Sequence, residues 1–199
     1  MKRRPLVIVL HGPSGAGKDS VIDRLRERTG IHRATSSTSR APREDELDGN
    51  HYHFLTEDEF RRKIERGDFA ESAIVYGDYK GLERAEVEGP LSRGEDVIIR
   101  TDVQGARTWR TKLDGAVFVF LTVDDRDALK ERLEKRGSET RESFERRIAE
   151  LEAELADMEN NDYVVHNRRG ELEEAVDELE RIIQAEHLNP ARPRARLIG

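Results

Sequence analysis

One segment near the start of the chain restricts the fold more than any other feature. Residues 5–10 (PLVIVL) are apolar, the sequence GPSGAGK follows at 12–18, and a helical pattern begins at Asp19. A buried parallel strand, a GxxxxGK turn and a helix form a phosphate-binding loop, in which backbone N–H groups and the lysine surround nucleotide phosphates. The residues predicted to bind a nucleoside triphosphate are Gly12, Pro13, Ser14, Gly15, Ala16, Gly17, Lys18, Asp19 and Ser20.

The residue after the loop lysine departs from the usual pattern. A Ser or Thr hydroxyl normally approaches Mg²⁺ at this position, whereas this chain has Asp19, followed by Ser20. Two interpretations remain open. Asp19 holds the metal through a water molecule, with Ser20 as an alternative source of a hydroxyl, or Asp19 lies at the helix start because negative charge is favoured there.

Strand and helix patterns alternate through most of the chain. Further strands are predicted at 96–101, 116–123 and 163–166, and helices at 19–28, 56–66, 128–136, 141–159 and 171–187. Thr56 and Glu59 form a capping-box pattern at the start of the second helix, and Gly67 ends it. This alternation predicts an α/β fold with a parallel sheet of the P-loop NTPase type, flanked by helices.

A polar segment interrupts this alternation. The stretch from Thr35 to Lys80 is rich in Ser, Thr, Arg, Asp and Gly, and a turn-rich segment of this length inside a compact domain is usually functional or disordered. We therefore expect one domain over residues 1–199 that carries an inserted lobe. Its predicted parts are a core at about 5–34, 83–126 and 160–188, a lobe at 35–82, a helical segment at 127–159 and a disordered tail at 189–199.

Composition excludes several classes of function. The 199 residues include 35 Lys and Arg, 42 Asp and Glu and no Cys, and the net charge is −7. The negative charge disfavours a nucleic-acid partner, so an anionic ligand needs a local cluster of basic residues. The lack of Cys excludes thiolate nucleophiles and disulfides. No stretch approaches the ~20 apolar residues that span a bilayer, so we expect no membrane partner and a cytoplasmic protein.

The inserted lobe offers such a basic cluster. Arg40 and Arg43 lie three residues apart with Pro42 between them, and two guanidinium groups can bind one phosphate through paired hydrogen bonds. Tyr52 can add a hydroxyl. The alternative interpretation is a solvated basic patch.

Together with the phosphate-binding loop, the pattern SSTSRAPRxxExxGxxYxF at 36–54 resembles the GMP-binding segment of guanylate kinases, and the similarity runs from about residue 5 to 187. The resemblance implies transfer of a phosphoryl group from ATP to GMP or dGMP, with Mg²⁺ as the cofactor. It also implies that the arginines and Tyr52 hold the GMP phosphate and that Ser36 and Glu71 select guanine. The GMP-binding residues implied by the resemblance are Ser36, Arg40, Arg43, Glu46, Tyr52, Glu71, Tyr79, Lys80 and Asp102.

Three positions near the acceptor differ from many guanylate kinases. Lys80 stands where the family has a tyrosine, Leu82 where it has Ser or Thr, and Arg100 where it has an aspartate. The strand sequence IIRTDVQGA, which contains Arg100, is similar to that of a plastid and bacterial branch of the family. Asp102 is expected either to orient the acceptor or the water shell of the metal, or to cap a helix beginning near Gln104.

Two later segments complete the resemblance. Residues 132–148 resemble the lid of the family, for which we expect bounds of about 127–159, and Val164–Arg168 are similar to the segment that contacts the adenine of ATP, here through Asn167. Arginines that arrive on lid closure stabilise the charge of the transferring phosphoryl group, although composition alone favours a charged helix surface. The predicted catalytic residues are Lys18, Arg40, Arg132, Arg136 and Arg147.

Two alternative functions follow from the same residues. A ribose 1,5-bisphosphate phosphokinase-like enzyme is slightly favoured by Asp19, but the base-selecting residues argue against it because a sugar phosphate carries no guanine. A non-catalytic guanylate-kinase-like module that binds proteins is disfavoured, since such modules tend to lose the loop lysine and the lid arginines. The sequence leaves a homo-oligomer open.

Overall fold

The computed structural model describes residues 4–43, 46–75, 77–123 and 156–198. Within these ranges the helices are α1 (Lys18–Thr29), α2 (Glu57–Glu65), α3 (Ala85–Arg93), α4 (Val103–Lys112) and α5 (Leu172–Leu188). The strands are β1 (Val7–His11), β2 (His32–Ala34), β3 (Ser37–Thr38), β4 (His53–Phe54), β5 (Phe69–Val75), β6 (Asp78–Glu83), β7 (Val97–Arg100), β8 (Leu113–Asp114), β9 (Val117–Thr122), β10 (Tyr163–His166) and β11 (Arg196–Leu197). A short 3₁₀ turn occupies Ala156–Asn160.

A parallel sheet forms the centre of the molecule. Its strands follow the order β10-β9-β1-β7-β2, and Val9 of β1 is paired with Ile99 of β7 and Phe118 of β9. Every residue of β1 and β9 is buried, as expected for strands covered on both faces. The predicted α/β fold with a central parallel sheet is confirmed.

Helices cover both faces of this sheet because β1 alternates its side chains between them. Ile8 and Leu10 belong to one buried cluster with residues of α1 and α5. Val7 and Val9 belong to another, which includes Trp109 of α4. The predicted helices at 19–28 and 171–187 coincide with α1 and α5 within about one residue at each end. The capping box of Thr56 and Glu59 at the start of α2 is present as predicted.

The predicted lobe contains a second, smaller sheet. Its strands follow the order β4-β3-β6-β5, and α2 packs against it through Phe60, whose ring stacks on Phe69 with centroids 4.2 Å apart. The strand β6 leads directly into the core, where Leu82 and Ala70 join the cluster that contains Trp109. The lobe is therefore packed onto the core at its base.

The C-terminal tail differs from the prediction. A disordered tail is predicted at about 189–199, but β11 pairs with β8, and the side chain of Arg192 donates to Glu186 at 2.8 Å and to Asp162 at 3.3 Å. Glu186 is only 2% exposed, and a buried carboxylate requires a partner of opposite charge. Arg192 supplies that charge and holds the tail against the core.

Other predictions lie partly or wholly outside the described residues. The helix predicted at 128–136 and most of the helix predicted at 141–159 fall in the range 124–155, and only the last residues of the second are described, in the 3₁₀ turn. Among the described helices, none has both the length and the apolar character needed to cross a membrane.

Candidate active site

Two glycines let the phosphate-binding loop approach neighbouring parts of the core closely. A Cβ at Gly12 would lie 2.1 Å from the carbonyl oxygen of Leu121 in β9. Gly17, the residue before α1, has a φ of 88°, and a Cβ there would lie 2.3 Å from Nδ2 of Asn167. A side chain at Gly12 must displace backbone, whereas a side chain at Gly17 must displace the amide of Asn167 and also adopt a positive φ that favours glycine.

Lys18 lies across the inside of the loop. Its side chain is buried, and Nζ donates to the carbonyl oxygens of Gly12 at 2.6 Å and Pro13 at 2.9 Å. Asn167 supports the loop from the other side, since its Nδ2 donates to the carbonyl oxygen of Ala16 at 2.8 Å. This contact makes Asn167, predicted to bind ATP, a residue that positions the loop. Ser14, Asp19 and Ser20 are exposed at the mouth of the loop.

The topology brings the predicted acceptor residues to the same edge of the sheet. Because β1, β7 and β2 are parallel neighbours, their carboxyl ends meet there, and such edges are where ligands bind in open α/β sheets. The phosphate-binding loop follows β1, Arg100 and Asp102 lie at the end of β7, and Ser36 follows β2.

A cavity of about 300 Å³ lies at this edge. It brings together four of the predicted GMP-binding residues, Ser36, Arg43, Glu46 and Tyr52, with Asp19 of the loop region. The cavity is also lined by Arg33, Ala34, His51 and Arg100, which were not predicted to contact the acceptor. These predicted acceptor residues therefore face the same space as Asp19, the residue that follows Lys18 of the loop.

Arg40 is held in place by the lobe. Its Nη2 donates to Oε1 of Glu46 at 2.8 Å, and its guanidinium lies 5.6 Å and 5.8 Å from the ring centroids of Tyr52 and Phe54. The other carboxylate oxygen of Glu46 accepts from the backbone N–H of Arg43 at 2.8 Å. These contacts, with that of Arg40 the largest, lower the pKa of Glu46 to about 2. Glu46 thus joins the two arginines as a charged carboxylate.

Glu71 carries a partly buried carboxylate whose pKa is raised. Burial raises the pKa of this side chain, and the negative charge of Asp102 raises it further, while Lys112 opposes the shift. A carboxylate that has lost solvent gains from donors supplied by a ligand. Asp102 is also the N-cap of α4, because its Oδ1 accepts from the backbone N–H of Gly105 at 2.7 Å. The capping interpretation of Asp102 is therefore observed.

Two neighbouring residues on β6 have different surroundings. The ring of Tyr79 stacks on Phe60 of α2 with centroids 5.3 Å apart. The ring of Tyr79 is therefore used in packing within the lobe, and its predicted contact with the acceptor stays a prediction. Successive strand residues point to opposite faces, so Lys80, which pairs with Thr38 on β3, points away from α2. Leu82 is fully buried in the core, which accounts for an apolar side chain at that position.

Asp19 joins two arginines that the sequence did not connect. Its Oδ1 accepts from Nη2 of Arg33 at 2.9 Å, and its Oδ2 accepts from Nη2 of Arg100 at 2.9 Å. Arg33 also donates to Asp23, one turn further along α1, at 2.8 Å. In the sequence, the only signal of this contact is that positions 19 and 100 both differ from the residue types that the family resemblance predicts. The side chains at these two positions form an ion pair.

Few described residues are available to hold a metal ion. No group of three or more His, Asp or Glu side chains suited to a metal occurs in the described part of the chain. Near the loop, Asp19 and Ser20 are the side chains that follow Lys18, and both oxygens of Asp19 are already bonded to arginines. This arrangement fits a metal that arrives with nucleotide phosphates, which supply most of its ligands. The predicted catalytic residues Arg132, Arg136 and Arg147 lie outside the described residues.

A phosphate-binding loop at the carboxyl edge of a parallel sheet, beside a cavity lined by three arginines, is typical of the class of P-loop kinases. The sequence pattern of the guanylate kinase family matches residues 2–186. The chain belongs to this family, as its resemblance predicted.

Individual relatives agree with this assignment. The chain is 44% identical over 185 residues to "Guanylate kinase 2, chloroplastic/mitochondrial" of Oryza sativa subsp. japonica, covering 92% of this chain but only 65% of that protein. It is 40% identical over 197 residues to the guanylate kinase of Xanthomonas euvesicatoria pv. vesicatoria, covering 98% of this chain and 96% of the relative. The crystal structure of guanylate kinase from Anaplasma phagocytophilum superimposes with a TM-score of 0.71 at 26% identity, over 100% of this chain and 93% of that one.

Proposed function

We propose that this protein transfers the γ-phosphoryl group of ATP to GMP, or to dGMP, and releases ADP and GDP or dGDP. The observation that carries the proposal is the cavity lined by Ser36, Arg43 and Tyr52 of the lobe and by Asp19, the residue directly after Lys18 of the loop. A kinase must hold donor and acceptor phosphates next to one another, because most of its catalysis is positioning and electrostatic stabilisation.

The donor side uses the backbone of the loop and one lysine. The N–H groups of the loop and the N-terminus of α1 provide positive partial charge for the ATP phosphates. Lys18, which donates to two loop carbonyls, exchanges these contacts for phosphate oxygens. Mg²⁺ bound to ATP would neutralise phosphate charge, and Asp19 or Ser20 would hold its water shell.

The acceptor side uses two kinds of recognition. Arg40, Arg43 and Tyr52 bind the phosphate of GMP, and the contacts of Glu46 keep Arg40 and the backbone at Arg43 in place. Glu71 accepts hydrogen bonds from N1–H and the N2 amino group of guanine. Adenine presents an acceptor at N1, so its complex would leave a desolvated carboxylate without donors, which is costly.

Other parts of the proposal extend beyond the described residues. Arg132, Arg136 and Arg147 are proposed to stabilise the charge of the transferring group when the lid closes. The net charge of −7 supports small-molecule substrates and opposes a general nucleic-acid partner. A cytoplasmic location and a homo-oligomer stay predictions.

The test is an ADP-release assay with MgATP and a series of acceptors. GMP, dGMP, AMP, UMP and ribose 1,5-bisphosphate are compared at equal concentrations. We expect turnover with GMP and dGMP, and at least 10³-fold lower kcat/KM with AMP, since the polar groups of the site are then unpaired. Preferred turnover of ribose 1,5-bisphosphate, or no turnover with any acceptor, would overturn the proposal.

A further inference from the structure

Arg100 lies at the point where the donor loop and the acceptor cavity meet. We propose that Arg100 is a further residue that binds the phosphate of the acceptor nucleotide, and that Asp19 holds it in position for this task. The inference rests on the proposed function. It adds Arg100 to the acceptor site, at a position where the resemblance predicts an aspartate in many relatives. Arg100 is the last residue of β7 and lines the same cavity as Ser36, Arg43 and Tyr52.

The bonding pattern separates Arg100 from Arg33. Arg33 donates to Asp19 and to Asp23, and only 13% of its side chain is exposed. Among the described residues, the guanidinium of Arg100 has one hydrogen-bond partner, Asp19, and 41% of its side chain is exposed. A guanidinium has five N–H donors. Arg33 is therefore held by two carboxylates, whereas Arg100 keeps most of its donors for an anion in the cavity.

Charge in the cavity points to the same conclusion. Its lining contains the three arginines Arg33, Arg43 and Arg100 and the two carboxylates Asp19 and Glu46. One carboxylate, Glu46, also pairs with Arg40. The cavity therefore carries an excess of positive charge, in a protein whose net charge is −7. An excess of guanidinium groups around a space of this size is suited to a phosphate dianion.

The ion pair also explains why two unusual residues occur together. Asp19 replaces an expected hydroxyl residue and Arg100 replaces an expected acidic residue, and the two side chains meet at 2.9 Å. An aspartate at position 100 would place a second carboxylate beside Asp19, and like charges at this distance repel. The two departures therefore compensate one another, and the pair leaves a cation where it can face the acceptor phosphate.

The first experiment measures binding by isothermal titration calorimetry, with GMP and guanosine as ligands and without ATP. Arg100→Ala is expected to weaken GMP binding about 10-fold or more, the usual size of a lost charge-assisted hydrogen bond, while guanosine binding stays within twofold. Arg100→Lys, which keeps the charge but loses the planar fork, should weaken GMP binding by a smaller factor. Arg93→Ala is the matched control, because Arg93 is an exposed arginine of α3 paired with Glu95, and it should bind GMP like the wild type.

The possible results separate this inference from the proposed function. A wild-type protein that binds neither GMP nor guanosine would contradict the proposed function itself. If the wild type binds GMP and Arg100→Ala binds it equally well, only the role of Arg100 is wrong. An equal loss of GMP and guanosine binding in Arg100→Ala would likewise overturn it, because a general disturbance of the site would account for the loss.

A second experiment tests whether Asp19 acts through Arg100. The variants Asp19→Ser and Arg100→Ala and the double variant that carries both substitutions are compared for GMP affinity and for melting temperature. Asp19→Ser should weaken GMP binding several-fold in the wild-type background and have little further effect when Arg100 is already replaced, because coupled residues are not additive. Additive effects of the two substitutions would show that Asp19 does not position Arg100.

Discussion

The donor loop and the acceptor site are held together in different ways. The loop depends on backbone and buried contacts: Gly12 against β9, Gly17 against Asn167, and Lys18 against loop carbonyls. The predicted acceptor site depends on ion pairs between side chains that keep some exposure, such as Arg40 with Glu46 and the more exposed Arg100 with Asp19. Close packing tolerates few changes, whereas a pair of surface charges can be exchanged for another pair.

This difference suggests which half of the site can vary. The loop must present the same N–H groups to the same triphosphate, so its sequence follows a general pattern. The acceptor site has to match one particular phosphate and base. Its charges at positions 19, 80 and 100 differ from the pattern that the resemblance predicts, while the arginines at 40 and 43 and Glu71 are kept. Substitutions that change donor binding without changing acceptor binding, or the reverse, therefore test this difference between the loop and the acceptor site.

Lys18→Ala should have the largest effect. The substitution removes the one side-chain cation at the loop, and kcat should fall by about 10²–10³-fold, as for loss of a single electrostatic donor to a transition state. GMP binding in the absence of ATP should remain close to that of the wild type, because the lysine faces loop carbonyls. Steady-state kinetics and calorimetry with GMP provide the two measurements. Substantial remaining turnover, or loss of GMP binding, would break the separation between the two sites.

Glu71→Gln should have the next largest effect, and on the acceptor alone. An amide offers one acceptor oxygen and an NH₂ group that opposes the guanine donors, so kcat/KM for GMP should fall about 10- to 100-fold. The KM for ATP should not change. Glu88→Gln is the control, since Glu88 is an exposed glutamate of α3 paired with Arg84. A parallel rise in the KM for ATP would contradict a role limited to guanine.

The sequence predicted those features of the fold and of the site that depend on residues close together along the chain. The loop at 12–18 and the capping box of α2 are local patterns, and the structure contains the geometry that each requires. The prediction of a disordered tail failed for a different reason. The segment at about 189–199 has the composition of a polar tail. Composition does not show that Glu186 is buried and that its carboxylate holds Arg192 in place.

Contacts between distant residues were the part that could not be predicted. Arg100 and Asp19 are 81 residues apart, and nothing in either segment signals the other. The stacking of Tyr79 on Phe60 is a second such contact, because it depends on which face of β6 points toward α2. Helix α3 was not predicted as an element because it contains Gly89 and Pro90, which disfavour helix interiors.

Glu46→Gln should have a moderate effect on the acceptor. The amide keeps one acceptor oxygen but loses the charge that holds Arg40, so the KM for GMP should rise about 3- to 10-fold with little change in kcat. Because the pKa of Glu46 is lowered to about 2, chiefly by its hydrogen bond from Arg40, this contact is present throughout the range from pH 5 to 8. The ratio of the two KM values should therefore be constant over that range. A ratio that collapses toward one near pH 5 would show that Glu46 is protonated there.

The smallest effect concerns the junction between the core and the lobe, where Glu86 of α3 contacts residues of both. Its carboxylate accepts from the backbone N–H of Thr35 at 2.8 Å and lies 3.4 Å and 3.2 Å from Nε2 of His32 and His53. Burial acts to raise the pKa of Glu86, but His32, the backbone of Thr35 and His53 outweigh it and lower the pKa to about 2.

A lowered pKa means that the folded state favours the charged carboxylate. The stabilisation by Glu86 is therefore complete above its unfolded pKa of 4.5 and is lost as the pH falls through about 2. Glu86→Gln should lower the free energy of unfolding by about 1–2 kcal/mol at pH 6, after allowance for solvent screening, and by progressively less below pH 4. Denaturant titrations of both proteins at several pH values measure this difference, with Glu88→Gln as the exposed control. A difference that grows as the pH falls would mean that Glu86 is not the charged link between the core and the lobe.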